Sequence, residues 1–170
     1  MKYKGKLTEK LVFSALFAAI ITVMTAYICH IPVGVNGGYI HLGDVFIYLA
    51  ASILPLPWAC GAAAVGAGLA DLLTAPLWTP ATIIIKVLVC LCFTSRKPAI
   101  LNKRNIAANG ASVLITCLGY YLAEGIILGW GAAFFASVIP NLIQTAGNTA
   151  AYILIAGALD KAGFKKRFTF

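Results

Sequence analysis

Three carboxylates and one lysine sit where an apolar sequence should carry none. Asp44, Asp71, Glu124 and Lys86 lie inside or at the edge of long hydrocarbon runs, whereas the remaining acids, Glu9 and Asp160, flank such runs. A lysine inside a membrane span is unfavourable by roughly 2.5–3.5 kcal/mol. Lys86 is therefore expected to face inward with a partner, for which Asp44, Asp71 and Glu124 are the candidates. Asn141, Gln144 and Asn148 stand at i, i+3 and i+7, one face of a helix. The segment GVNGGYIHLGD, residues 34–44, adds Asn36, Tyr39 and His41. Two chemistries suit such a set. Acid–base or phosphoryl chemistry would use His41, Asp44, Asp71 and Lys86. Binding of a flat, polar molecule would use the amides and carboxylates as hydrogen-bonding groups and Tyr39, Trp78, Tyr121 and Trp130 as stacking surfaces.

The elements that position these residues follow from composition. The 170 residues are 61% hydrophobic and 11% charged, with a mean hydropathy of +0.92. Soluble domains carry roughly 25% charged residues, so the chain is expected to be a polytopic membrane protein, all-α and a single domain over 1–170. Apolar runs and proline punctuation predict six helices, at 9–29, 43–54, 58–75, 80–94, 106–128 and 135–160. Pro55 with Pro57, and Pro76 with Pro80, bracket two tight turns. The second and fourth segments are shorter than the ~20 residues of a full crossing. The N-terminal MKYKGKLTEK resembles a signal n-region, but no A-x-A-like site follows its apolar run, so a retained first span is expected.

Twelve of the thirteen Lys and Arg residues fall before the first span, between the fourth and fifth, or after the sixth. The positive-inside rule places these three clusters, and both termini, in the cytoplasm. Residues 30–42, 76–79 and 129–134 then face outward. The strongly polar side chains inside the spans all fall in the outer half, above an inner half expected to be apolar. That asymmetry suits a cavity open to the outside better than a channel. The basic flanks are short, which argues against a nucleic-acid surface. Five cysteines without a C-x-x-C pair read as small packing residues, and neither metal, disulfide nor cofactor is expected.

Each polar residue also has a plainer role. Asp44 is a helix N-terminal acid favoured by the macrodipole, and Asp71–Lys86 would serve as a structural ion pair. The amides of the sixth helix would join helices. Trp78 and Trp130 would anchor at the interface, and His41 would be a solvated loop residue.

The motifs NGGYIHLGD, GAGLADLLTAPLWTPATIIIK, AEGIILG and IPNLIQ together resemble the substrate-binding membrane subunits of energy-coupling factor (ECF) transporters. Within them they are most similar to the riboflavin-transporter-like S-components. The likeness covers nearly the whole chain. It implies six helices, a pocket near the outer face, and a first outer loop that covers it. The resemblance further implies partners, a transmembrane coupling protein and two ABC ATPases, which dock on an Ala-x-x-x-Ala pattern that falls here on Ala15 and Ala19. Ser14 and Ala18 form a second small pair beside it. No G-x-x-x-x-G-K-[ST] phosphate loop is present, in keeping with a chain that borrows its ATPases. Gly34, Gly37 and Gly38 give the covering loop the backbone freedom of a lid. The implied ligand is a vitamin or precursor: a queuosine precursor, hydroxymethylpyrimidine or a B6 vitamer, ahead of riboflavin. The rivals are a membrane-embedded enzyme and a small scaffold of envelope assembly.

Overall fold

The computed structural model describes residues 2–28, 30–33 and 38–168. Six principal helices form a bundle: α1 (Lys2–Ala26), α2 (Asp44–Ile53), α3 (Leu56–Thr74), α4 (Thr79–Cys92), α5 (Lys103–Leu128) and a sixth rod. That last rod is built from a short α6 (Trp130–Ala133), a π-helical turn (Phe134–Val138) and α7 (Ile139–Lys161), and a one-turn α8 (Phe164–Arg167) follows. Four of the rods are long and apolar enough to cross a membrane, while Asp44–Ile53 and Pro76–Cys92 are shorter.

The proline punctuation reads correctly. Pro55 precedes α3 and ends the turn from α2, and Pro76 opens a 3-10 turn, Pro76–Trp78, that leads into α4. Boundaries shift where caps act: α5 begins at Lys103 because the Asn102 side chain accepts a hydrogen bond from the Asn105 N–H at 3.1 Å. Gly129, with φ of 97°, turns α5 into α6 in a backbone conformation that favours glycine. One element is absent from the helical expectation. Ile31–Val33 and Gly38–Ile40 pair antiparallel as β1 and β2, so the loop before α2 is a small β-ribbon.

Small residues set the helix spacing. Lipid tails are as apolar as leucine, so helices in a bilayer associate by close packing rather than by hydrophobic burial. On α3, Ala59, Ala62, Ala63, Ala67 and Ala70 are all buried. A Cβ on Gly66 would lie 2.7 Å from the Ala18 carbonyl oxygen, so α1 and α3 cross at nearly backbone contact. Thr22 Oγ1 lies 2.9 Å from both the Ala18 and Gly66 carbonyl oxygens and donates at that crossing. Ser14 donates to the Trp58 carbonyl at 2.9 Å. The Ser14/Ala18 pair is therefore consumed by α3, whereas Ala15 and Ala19 are exposed on the other side of α1.

Helix α2 occupies the middle of the bundle. Nine of its ten residues are buried, and it touches α1, α3, α4 and α7. The C-terminal segment packs at the end of the bundle that carries the α4–α5 loop and against the first half of α1. Phe13 and Phe168 stack edge to face with centroids 4.8 Å apart, and Lys165 Nζ donates to the Ser52 and Lys97 carbonyls at 2.8 and 2.7 Å.

That terminal half is not apolar, contrary to expectation. Asn105, Ser112, Thr116 and Ser52 are wholly buried there, with Asn109 and Tyr152 beside them. Much of this polarity is absorbed locally. Asn109 Nδ2 and Ser112 Oγ each donate to the carbonyl four residues back at 2.7 Å, and Asn105 bridges Thr94 and Ile100. Asp160 is also more than a flank: its two carboxylate oxygens accept from the Ile100 and Leu101 N–H groups, each at 2.8 Å.

Candidate functional site

The ribbon and the start of α2 are stitched to α3 and α7, and a cavity lies beneath. From the ribbon, the Tyr39 hydroxyl donates to the Asp71 carboxylate on α3 and accepts from Thr74 Oγ1 at 3.3 Å. Burial, then the Asp71 charge, raise the Tyr39 phenol pKa well above its ordinary range, so the ring remains a hydrogen-bond donor. On the α7 side, Gln144 Oε1 accepts from the His41 N–H at 3.2 Å. Asn148 accepts from the Val45 N–H at 2.9 Å and donates to the His41 carbonyl at 2.8 Å. The His30 ring stacks on Tyr39 with centroids 4.0 Å apart.

Behind this cover stands the only ion pair found among the described residues. Lys86 Nζ reaches Asp44 Oδ1 at 2.8 Å and Oδ2 at 2.9 Å, with both side chains 1% exposed. Gln144 Nε2 donates to the same carboxylate at 3.2 Å. Of the three candidate partners, Lys86 thus takes Asp44. It also sits 5.4 Å from the centroid of the Tyr120 ring. Asp71 turns instead to Tyr39, and Glu124 accepts from the Ser137 hydroxyl of the π-helical turn.

The cavity is small, with about 60 Å³ of space open to a water-sized molecule. Seven of the expected residues line it: Tyr39 and His41 from the cover, Asp71 and Trp78 from α3 and the turn after it, Glu124 from α5, and Asn141 and Gln144 from α7. Asp44, Lys86 and Asn148 do not. They lie behind the wall, where they hold α2 and the cover in place. Asn36, Gly34, Gly37 and Cys29 fall outside the described residues.

Sequence reasoning missed Tyr120 and Ser137, both of which line the cavity. Tyr120 had a readable signal. It stands four residues before Glu124 and shares its helix face, whereas Tyr121 is rotated away and packs edge to face on the exposed Trp130, with centroids 5.5 Å apart. Ser137 had none, because the π-helical turn rotates it relative to a regular helix. Such turns recur at functional sites.

His41 is not a solvated loop residue. It is 6% exposed and its Nδ1 accepts from the Gly43 N–H at 3.0 Å. Burial is the main reason that its pKa falls to about 4, with Asp44 opposing that shift and Lys86 and His30 adding to it. Between pH 6.5 and about 4, the unfolded chain binds a proton that the folded imidazole refuses. Stability therefore declines as pH falls through that window and is insensitive to this group above it. Thermal unfolding of the detergent-solubilised protein between pH 7.5 and 4.5 is expected to show this decline. His41→Asn, which keeps an acceptor and cannot titrate, should flatten it. An unchanged pH profile in the variant would assign the decline to other groups.

Chemically, the site offers two buried carboxylates, two side-chain amides, the aromatic faces of Trp78 and Tyr120, and no lining lysine or arginine. Of the acid, base and amine candidates, His41 and Asp71 line the cavity, whereas Asp44 and Lys86 lie outside it. Lys86 and Asp44 satisfy one another outside the cavity, and His41 Nδ1 is committed to the backbone.

Residues 6–161 match a family model described as ECF-type riboflavin transporter, S component. No curated protein matches the chain.

Proposed function

The chain belongs to the ECF-type riboflavin transporter S-component family, and from that membership we propose that its cavity captures a small heterocyclic vitamin or vitamin precursor at the outer membrane face. The family is one of transporter subunits rather than enzymes, and the chain is a substrate-binding membrane subunit of an ECF transporter. The orientation follows from charge. The ribbon end is read as outward-facing: twelve of the thirteen basic residues flank the first, fourth, fifth and sixth helices at the opposite end, a pattern that supports cytoplasmic termini and an even number of crossings, six in this reading.

The observation that carries the binding reading is the cavity itself, a polar, aromatic-walled space under a hydrogen-bonded cover. Its carboxylates, Asp71 and Glu124, are 5% and 4% exposed and meet hydroxyl donors. A buried carboxylate is best compensated by a donor or a cation. The ligand is accordingly a neutral or cationic nitrogen heterocycle rather than an anion, which fits hydroxymethylpyrimidine, a queuosine precursor or an amine-bearing B6 vitamer. The test is to denature the purified protein and identify the released molecule by mass spectrometry. A stoichiometric heterocycle is expected. An empty protein that also ignores a vitamin panel in tryptophan-fluorescence titration would overturn the reading.

Delivery then falls to a transmembrane coupling protein and two ABC ATPases. Ala15 and Ala19, exposed on α1 and one turn apart, suit close approach by a partner helix. Ala15→Trp is expected to weaken assembly with the coupling protein roughly tenfold, from the ordinary effect of overpacking, while the protein retains its ligand. Co-purification of both components distinguishes the cases, and unimpaired assembly would move the docking face elsewhere.

A further inference from the structure

A second feature of the bundle lies apart from the cavity, on the wall between α1 and α7. Both helices pack on α2 and are held apart by it. The resulting groove is entirely apolar. Phe13, Phe17 and Ile20 of α1 form one bank, Ile155 and Leu159 of α7 the other, and Phe46, Leu49 and Ile53 of α2 the floor. At its terminal end the groove meets a pocket of opposite character. Ile53 belongs to both, the pocket beyond it is lined by Arg96, Lys97, Lys165 and Lys166, and Phe168, which packs on Phe13 and Phe164, stands at the junction. Phe164 likewise joins the groove to an adjoining hollow that holds Lys165 and Lys166.

Among the described residues these four cations face a single acid, Asp160, which lies beside Lys165 and Lys166. Among the described residues the only salt bridge is the distant Lys86–Asp44 pair, and the nearby Asp160 spends both oxygens on backbone N–H groups. Lys165 is fixed to the Ser52 and Lys97 carbonyls, which braces the α4–α5 loop against the end of α2. An apolar trough that runs into a braced pocket with four cations against one acid has the form of an acyl chain joined to a phosphate.

We propose that this groove and its basic pocket hold one anionic phospholipid, with an acyl chain along α2 and the headgroup phosphate at Arg96 and Lys166. The site is separate from the substrate cavity and does not rest on the identity of the substrate. An anionic headgroup answers the charge of the pocket, whereas a zwitterionic one brings a cation of its own into the same space.

The experiment is native mass spectrometry of the full chain in detergent with equimolar dioleoylphosphatidylglycerol and dioleoylphosphatidylcholine. One phosphatidylglycerol per chain is expected in preference to phosphatidylcholine. In Arg96→Gln/Lys166→Gln, whose altered side chains are both exposed, that preference should fall by about thirtyfold, from the ordinary contribution of two basic residues at an anionic surface. Ile20→Trp, which narrows the trough, should reduce retention of both lipids. Equal retention of the two lipids by the unaltered chain would overturn the proposal. So would displacement of the lipid by millimolar glycerol phosphate, which would mark a simple anion site, or a second copy of the chain in place of the lipid.

Discussion

Lys86→Met should destabilise the protein by about 3–5 kcal/mol, the usual consequence of leaving one partner of a buried ion pair uncompensated. Lys86 is 1% exposed and holds both oxygens of Asp44, so its removal strands a carboxylate at the start of the central helix. The damage should spread. Gln144 contacts the same carboxylate and also receives the His41 N–H, so the cover over the cavity loses part of its anchorage. Asp44→Leu/Lys86→Met is expected to recover most of the stability, because removing both charges removes the desolvation problem along with the attraction. Thermal unfolding of the three proteins in one detergent is the measurement. If the double variant is as weak as the single one, the pair does more than neutralise itself.

Asp71→Asn should weaken ligand binding by about 10–150-fold, the range for losing a hydrogen bond to a charged group, with little change in stability. Asparagine keeps an oxygen for the Tyr39 hydroxyl and loses only the charge offered to the cavity. Tyr39→Phe separates the two roles of this contact, since it removes the tie to the cover and leaves the carboxylate. Titration with the molecule released from the unaltered protein, followed by fluorescence of the cavity-lining Trp78, reads both variants. Unchanged affinity in Asp71→Asn together with a lowered unfolding temperature would make Asp71 a strut rather than a ligand contact.

The helices and the clustering of seven candidate residues around one cavity were legible in the sequence for physical reasons. Proline cannot continue a helix, so Pro55, Pro57, Pro76 and Pro80 mark the turns directly. Intramembrane carboxylates are unfavourable enough that their presence signals a purpose, and Asp71 and Glu124 do line one cavity. The partner of Lys86 was not legible, because three carboxylates share its depth and only helix rotation distinguishes them. The inner polar residues escaped notice because Asn109 and Ser112 bond to their own helix, which leaves hydropathy nearly unaltered. The ribbon over the cavity depends on pairing across a loop whose glycines carry no periodic pattern.

The shortness of α2 has an electrical consequence. Ten residues rise only about 15 Å, half of a hydrocarbon core about 30 Å thick, so in the proposed orientation, with the end of α2 at the cytoplasmic face, a cavity above its first residue would lie below the outer face of the bilayer. A ligand bound there sits part-way through the transmembrane voltage. For a monovalent cation held a third of the way across, a potential of 100 mV, negative inside, would add roughly 0.8 kcal/mol to binding, or about fourfold in affinity. A neutral ligand would gain nothing. Binding to vesicles of fixed orientation, with and without a potassium diffusion potential, should therefore reveal the charge of the bound molecule and its depth together, and a cation whose affinity ignores the voltage would place the cavity at the surface.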